Sequence, residues 1–185
     1  MMSLPYGLLG LLQYQDSTGY DLAKLFEQSL NNFWHAQSSQ IYRELNRMEE
    51  KGWVASRNVL QDKRPNKRVY AITVEGREHL RSWLQESALT FENPHDSFLM
   101  RLFFGAEVPE TTLRLLKAYR EMWISCLEEG RADLSQSNIN HYASQIKGGQ
   151  KESLYWQLTL DYSIAQIKTR IEWAAACIEK LEQIS

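Results

Sequence analysis

The chain has 185 residues, of which 43% are hydrophobic and 24% are charged, and its formal net charge is −2. This composition excludes an intrinsically disordered chain and is sufficient for one ordinary domain or two small ones. No apolar run approaches the roughly 20 residues that span a bilayer, and the N-terminus lacks the features of a signal peptide. We therefore expect a cytoplasmic protein without a membrane partner.

Basic residues are concentrated in one part of the chain. Between Gln37 and Arg68, eight Lys and Arg residues stand against four Asp and Glu residues, which gives a local charge of +4. Between Phe91 and Ser185, ten basic residues are outnumbered by thirteen acidic ones. A basic segment on an acidic body is typical of a protein with one nucleic-acid-binding region.

The first part of the chain predicts three helices. The apolar residues of Leu4–Tyr14 are dense enough for a buried helix, and those of Tyr20–Leu30 form one face of a second helix. The segment Gln15–Gly19 between them consists of turn and cap residues. A third helix is predicted to end at Gly52, because glycine commonly follows the last turn of a helix.

The third helix has two different faces and is predicted to begin at a cap formed by Ser38 or Ser39. Ile41, Leu45 and Met48 share one face and are predicted to pack inward. The outward face carries hydrogen-bonding groups and two guanidinium groups, which suit base edges and phosphates. The predicted DNA contacts on this helix are Ser38, Ser39, Gln40, Tyr42, Arg43 and Arg47.

The outward face also has an alternative interpretation without DNA. Arg47 and Glu50 are three residues apart and would form an ion pair on a solvated helix face. The Tyr42 ring would pack against a neighbouring helix instead of contacting a phosphate. The sequence leaves both alternatives open.

A basic hairpin is predicted after the third helix. The strand-forming segments Trp53–Leu60 and Val69–Ile72 flank a Pro-Asn turn signal. Thr73 then caps a fourth helix that runs to Leu84. The hairpin is predicted to neutralise DNA phosphates through Lys63, Arg64, Lys67 and Arg68.

The second half of the chain is predicted to be wholly helical, with a domain boundary at Glu92–His95 and domains of residues 1–88 and 89–185. Apolar residues of the last helix alternate in steps of four and three, as in the seam of a coiled coil. The predicted segments are helices at Phe98–Phe104, Glu110–Glu129 and Lys151–Ile184, and a loop at Arg131–Gln150 with a short helix around His141–Ile146. The predicted dimerisation residues are Leu160, Ile164, Ile167, Ile171, Ala174, Ile178 and Leu181.

The aromatic residues of the second half suggest a ligand site, with Tyr119, Trp123 and Trp156 as candidate contacts, although such stripes also form dimer cores. Cys126 and Cys177 are expected to be free, buried thiols. The four histidines have no metal-ligand spacing, and no nucleotide-binding or catalytic motif is present. We therefore expect no metal, no cofactor and no enzymatic activity.

The order of elements, with a polar-faced helix followed by a basic hairpin, predicts a winged helix-turn-helix. The strings LPYGLLGLL, TGYDLAKLFEQSLNNFW, SSQIYRELNRMEEKGWV and KRVYAITVEGREHLRSWL resemble the PadR family of transcription regulators. The string DSFLMRLFF and the helical tail resemble its longer members. The resemblance implies a homodimer, usually a repressor, which in some members is released from DNA by a small aromatic or hydrophobic ligand.

The resemblance also implies where DNA is bound. The DNA-reading helix corresponds to Ser38–Lys51 and the wing to Lys63–Arg68. The predicted fold is mainly α, a winged helix-turn-helix domain followed by a coiled-coil-like helical dimerisation domain. The predicted function is that of a sequence-specific regulator of transcription that binds double-stranded operator DNA, most simply a repressor. The alternatives are an activator of the same fold and a winged-helix interaction module that does not bind DNA.

Overall fold

The structure is a computed structural model that describes residues 3–30, 33–59, 67–86, 96–133, 139, 143–144 and 149–183. It divides into two compact units, Met1–Leu89 and Thr90–Ser185. The first unit contains α1 (Leu4–Leu12), β1 (Ser17–Thr18), α2 (Gly19–Ser29), α3 (Ser38–Glu50), β2 (Val54–Val59), β3 (Lys67–Ile72) and α4 (Val74–Leu84). The second contains α5 (Ser97–Phe103), a 3₁₀ turn (Gly105–Glu107), α6 (Pro109–Asp133) and α7 (Gly149–Glu182).

The first unit packs its helices against a small antiparallel sheet in the order β1-β3-β2. Tyr70 on β3 lies between Ser17 of β1 and Ser56 of β2. The predicted hairpin is confirmed, and Thr18 caps α2 as expected of a turn and cap segment, since its hydroxyl accepts the Asp21 N–H at 3.1 Å. Ser17 and Thr18 also form β1, which was not predicted. Two residues carry no recognisable alternation, so the pairing of β1 with a strand some fifty residues away leaves no local signal in the sequence.

The core of the first unit confirms the predicted inward face of α3. Ile41, Leu45 and Met48 are at most 1% exposed because α3 packs on α1 and α2. Apolar residues from every helix of the unit and from the hairpin complete this core, among them Leu8, Leu9, Leu12, Leu22, Phe26, Val54, Tyr70 and Leu80.

The ends of α3 and the start of α4 are set by capping residues and a glycine. The predicted cap at Ser38 or Ser39 is wrong, because the cap residue is Gln37, whose backbone N–H donates to the side chain of Gln40 at 2.8 Å. Gly52 ends the helix as predicted, with a φ of 74° that favours glycine. Thr73 caps α4 as predicted, since its hydroxyl accepts from the Gly76 N–H at 3.0 Å.

The second unit is built on an antiparallel pair of long helices. Lys117 near the start of α6 forms a 2.6 Å ion pair with Glu182 at the end of α7. Further along α6, the Arg170 guanidinium of α7 lies 4.3 Å from the Trp123 ring. Ala174 is fully buried within the single chain. The chain therefore supplies a partner helix for part of the predicted seam.

The long helices of this unit reach further into the predicted loop than expected. The predicted loop at Arg131–Gln150 is wrong at both ends, because α6 continues to Asp133 and α7 begins at Gly149. A Cβ at Gly149 would lie within 3.0 Å of backbone atoms of Ala143, so the glycine permits this close approach. Ala143 and Ser144 are helical, as predicted, and the remainder of the predicted short helix lies outside the described residues, as does the predicted boundary at Glu92–His95.

Two further findings concern the cysteines and the membrane. Cys126 and Cys177 are free, but the prediction that both are buried is wrong, because Cys126 is exposed on α6 and Cys177 is half-buried. One turn before Cys126, Trp123 contacts α7 through the Arg170 guanidinium. No helix in the described ranges is long and apolar enough to cross a bilayer.

Candidate nucleic-acid interface

The first turns of α3 present an exposed polar surface. Ser38, Ser39, Gln40 and Arg43 are all exposed. The Oε1 atom of Gln40 accepts the backbone N–H of Gln37, and its amide NH₂ has no partner among the described residues. This arrangement orients the Gln40 side chain by a local hydrogen bond and leaves its donors available.

The two arginines of α3 differ in electrostatic environment. The Arg43 Nε donates only to the carbonyl oxygen of Ser39, at 3.4 Å, and has no carboxylate partner in the described part of the chain. Arg47 contacts the Oε2 atom of Glu44 at 3.4 Å. The predicted alternative of a pair with Glu50 is therefore wrong, because Arg47 pairs with the largely buried Glu44 one turn earlier. Arg43 is the less neutralised of the two cations.

Tyr42 packs where α3 meets the start of α2. A Cβ on Gly19 would lie 3.2 Å from two atoms of the Tyr42 ring and closer still to Cε1. The ring is nevertheless 42% exposed. The side chain thus fills the space above Gly19, as the packing alternative predicted, and retains an exposed edge.

The hairpin carries its cations in different settings. Lys67, the first residue of β3, is exposed and has no ion pair within the described ranges. Arg57 on β2 forms a 3.1 Å ion pair with Asp16. Lys63 and Arg64, both predicted to contact phosphates, lie outside the described residues.

Arg68 is bound within the protein. Its Nε donates to the Ser56 Oγ at 2.9 Å, and a second guanidinium nitrogen donates to Glu49 at the end of α3. The Ser56 hydroxyl donates to the other oxygen of Glu49 at 2.5 Å. Burial raises the pKa of the neighbouring Tyr70 hydroxyl, and the positive charge of Arg68 partly offsets this rise. The sequence contained no signal for this contact, which joins residues 19 positions apart.

Two of the three predicted ligand residues, Tyr119 and Trp123, belong to an aromatic cluster of the second unit. The Tyr119 ring stacks on Phe98 with centroids 4.1 Å apart and meets Trp123 and Trp173 edge-on at 5.9 and 6.0 Å. Trp156, on the first half of α7, is half-buried. A shallow recess in the same unit is lined by other residues, namely Phe98, Arg101, Leu102, Thr112 and Leu115.

No group of three or more His, Cys, Asp or Glu side chains that would hold a metal ion occurs among the described residues. The chemistry available at α3 and the hairpin is hydrogen bonding and charge neutralisation.

Two curated proteins are similar to the chain. It is 47% identical over 85 residues to the probable transcriptional regulator Rv1176c of Mycobacterium tuberculosis, an alignment that covers 46% of this chain and 45% of that protein. It is 34% identical over 104 residues to the negative transcriptional regulator PadR of Bacillus subtilis, which covers 56% and 57% of the two chains. The alignments span about half the length of these curated relatives.

Solved structures share this fold over almost the whole chain. Bacillus subtilis PadR in complex with operator DNA matches with a TM-score of 0.78 at 23% identity, over 97% of this chain and 99% of that one. The same protein has been solved with p-coumaric acid, with a TM-score of 0.73 at 24% identity over 98% and 99% of the chains. The Vibrio cholerae virulence activator AphA matches with a TM-score of 0.72 at 28% identity over 99% and 100%. These likenesses confirm the predicted fold class of a winged helix-turn-helix followed by a helical region.

Family models cover both units. Residues 94–182 match the virulence activator alpha C-term family. Residues 8–82 match the transcriptional regulator PadR-like family. The prediction that the chain is not an enzyme is confirmed, because the relatives are regulators of transcription. The chain belongs to the PadR-like family of transcriptional regulators.

Proposed function

We propose that the chain is a sequence-specific, DNA-binding repressor of transcription that acts as a homodimer in the cytoplasm. The observation that carries the proposal is the exposed polar start of α3, where Arg43 has no carboxylate partner among the described residues. The operator complex of the Bacillus subtilis protein, which has this fold, and the name of that relative as a negative regulator support the proposal.

The side chains of α3 divide the work of recognition with the wing. Arg43 and Arg47 have the planar donors that bind the edge of guanine, and Gln40 has the amide that binds adenine. Arg43 is the stronger candidate because Arg47 must share its charge with Glu44. Backbone phosphates are neutralised at the wing by Lys67, together with Lys63 and Arg64.

The homodimer presents two copies of α3 to successive major grooves, which requires a spacing of about 34 to 36 Å and a pseudo-palindromic operator. Within the predicted seam, Leu160 and Ala174 are buried inside one chain, and the other five are partly buried. Large exposed apolar side chains elsewhere in the second unit provide more surface for a second copy, because contiguous exposed apolar patches mark protein interaction sites. They are Leu99, Met100, Phe103 and Phe104 around α5, and Leu154, Tyr155, Leu158 and Tyr162 on α7.

The dimer is tested by mass. Light scattering of the purified chain should give about twice the 21.7 kDa of one chain. Phe103 is 81% exposed in the single chain. Replacing it with Asp should lower that mass, because a charge then takes the place of an apolar ring that the dimer would bury. A monomeric wild type would contradict this part of the proposal.

A small aromatic effector is the proposed regulator of DNA binding. The cluster around Tyr119 and Trp123, with Arg170 above one ring, offers stacking surfaces and a cation for an aromatic acid. Trp156 is the third candidate contact. Such an effector would bind the dimer more tightly at one spacing of the two α3 helices than at another. The free energy of DNA binding then changes by at most this difference in effector binding free energy. Isothermal titration with p-coumaric acid, which binds the Bacillus subtilis relative, tests this with a Trp123→Ala variant as the control.

Repression is tested by footprinting and by a reporter. DNase I protection of the region upstream of the gene should reveal a two-fold symmetric site, and removal of the protein should raise expression from that promoter. A fall in expression would establish the activator alternative, which the likeness to AphA favours. If no tested promoter contained a protected site, the alternative of an interaction module that does not bind DNA would be favoured.

A further inference from the structure

We infer that Arg68 and Glu49 hold the wing in position against the end of α3, and that Arg68 is a positioning residue and not a phosphate contact. The inference rests on the proposed DNA binding. We call Glu49, Ser56 and Arg68 the wing network. It joins α3 to both strands of the hairpin.

The wing network is a closed ring of three hydrogen bonds. Arg68 donates to Ser56 at 2.9 Å and to one oxygen of Glu49, and Ser56 donates to the other oxygen of Glu49 at 2.5 Å. Two of these bonds involve an ionised carboxylate, and bonds to charged groups are about twice as strong as neutral ones. The ring therefore ties β2, β3 and α3 together at one point.

The strand register places Arg68 on the helix side of the hairpin. Side chains alternate between the two faces of a strand, so Arg68 and Tyr70 share one face and Lys67 lies on the other. Tyr70 is 3% exposed in the core, and the Arg68 guanidinium carbon lies 5.1 Å from its ring. The two basic residues of β3 consequently face opposite ways, and Lys67 is the one without a described partner.

The charge balance also assigns Arg68 to the contact with Glu49. If Arg68 instead contacted a phosphate, the Glu49 carboxylate would lose its cation next to the DNA backbone. The Glu49 side chain is 30% exposed. Such a carboxylate repels phosphate and loses the hydrogen bond that Arg68 donates to it. Lys67 can bind a phosphate without breaking any described ion pair.

Two neighbouring carboxylates provide a matched test. Glu49→Gln and Glu50→Gln each remove one negative charge from the same end of α3, and Glu50 is exposed with no partner among the described residues. Simple electrostatics predicts that both variants bind DNA more tightly. The wing network predicts that Glu49→Gln binds about two- to fivefold more weakly, the range for exposed ion pairs, while Glu50→Gln binds as tightly as wild type or more tightly. Equal behaviour of the two variants would overturn the inference.

A charge exchange tests the role of Arg68 itself. Arg68→Glu should weaken DNA binding, and the double variant with Glu49→Arg, which restores the ion pair at the wild-type net charge, should recover most of the loss. If Arg68 instead contacts a phosphate, the double variant gives no recovery. Arg68→Gln would then also reduce the slope of log affinity against log salt by about 0.9 per protomer, whereas a positioning residue leaves the slope unchanged.

Hydrogen exchange of the free protein separates this inference from the proposed function. The amides of β2 and β3 should exchange faster in Glu49→Gln than in Glu50→Gln, because the hairpin opens more readily without the network. That result would support the wing network even if no operator were bound. Equal exchange, with operator binding intact, would refute the network and leave the proposed function standing.

Discussion

The close approach of α4 to Trp53, just before β2, is tested by replacing Gly76 with Ala. A Cβ at this position would lie 3.0 Å from the carbonyl carbon of Trp53, closer still to its oxygen, and 3.1 Å from Cγ1 of Ile72. The obstruction is backbone, which cannot rotate away as the end of a side chain can. The first turn of α4 and the start of β2 must therefore separate by about 1 Å to restore van der Waals contact.

The expected loss of stability follows from three contributions. Overpacking in a well-packed region costs about 1 to 3 kcal/mol. The Trp53 carbonyl also accepts the N–H of Thr73 at 3.1 Å, a bond that contributes about 1 kcal/mol, whereas the single hydroxyl proton of Thr73 has a nearer acceptor in the Gly52 carbonyl at 2.7 Å. The better helix propensity of alanine offsets up to about 1 kcal/mol. The sum predicts a decrease of about 1 to 3 kcal/mol in the free energy of unfolding.

Urea unfolding followed by circular dichroism measures this decrease, and Gly10→Ala is the matched control. Gly10 lies within α1, and a Cβ there meets no atom within 4 Å. The control should raise the free energy of unfolding by about 0.5 to 1 kcal/mol. If Gly76→Ala were as stable as the control, the close contact between Gly76 of α4 and the Trp53 backbone would be refuted.

Three other predictions concern the site. Lys67→Ala should weaken binding to operator and unrelated DNA alike and reduce the salt slope by about 0.9 per protomer, as measured by titrations at several salt concentrations. Arg43→Ala should reduce the free-energy difference between operator and unrelated DNA by about 1 to 3 kcal/mol, and an unchanged ratio would exclude Arg43 from base reading. The raised pKa of Tyr70 favours folding below pH 10, where the hydroxyl is neutral in both states, and this contribution is lost as the pH rises through the folded pKa. Tyr70→Phe should therefore lose less stability above pH 10 than wild type in denaturant titrations.

Features encoded by local patterns were predictable. The spacing of Ile41, Leu45 and Met48 specifies the buried face of α3 because helical periodicity depends only on neighbouring residues. Gly52 and Thr73 act through their own backbone or side chain within one turn, so the end of α3 and the start of α4 were also readable.

Features that depend on contacts distant in sequence were not predictable. The bond between Arg68 and Glu49 depends on the position of the hairpin relative to α3, which no pattern in either segment specifies. The alternation of β3 would have placed Arg68 on the same face as Tyr70, had Tyr70 been identified as a core residue. Similarly, an apolar seam has the same spacing whether it packs on α6 of its own chain or on a second copy. The burial of Ala174 within one chain distinguishes these cases only in the structure.

Fluorescence anisotropy of the purified protein with labelled DNA from the region upstream of its own gene tests the central proposal most directly. The titration is run at two salt concentrations with unrelated duplex as competitor. An operator-binding regulator should bind tightly, resist the competitor and weaken steeply with salt, because a specific complex combines base contacts with released counterions. Weak binding that unrelated DNA competes equally at both salt concentrations would refute operator binding at this site.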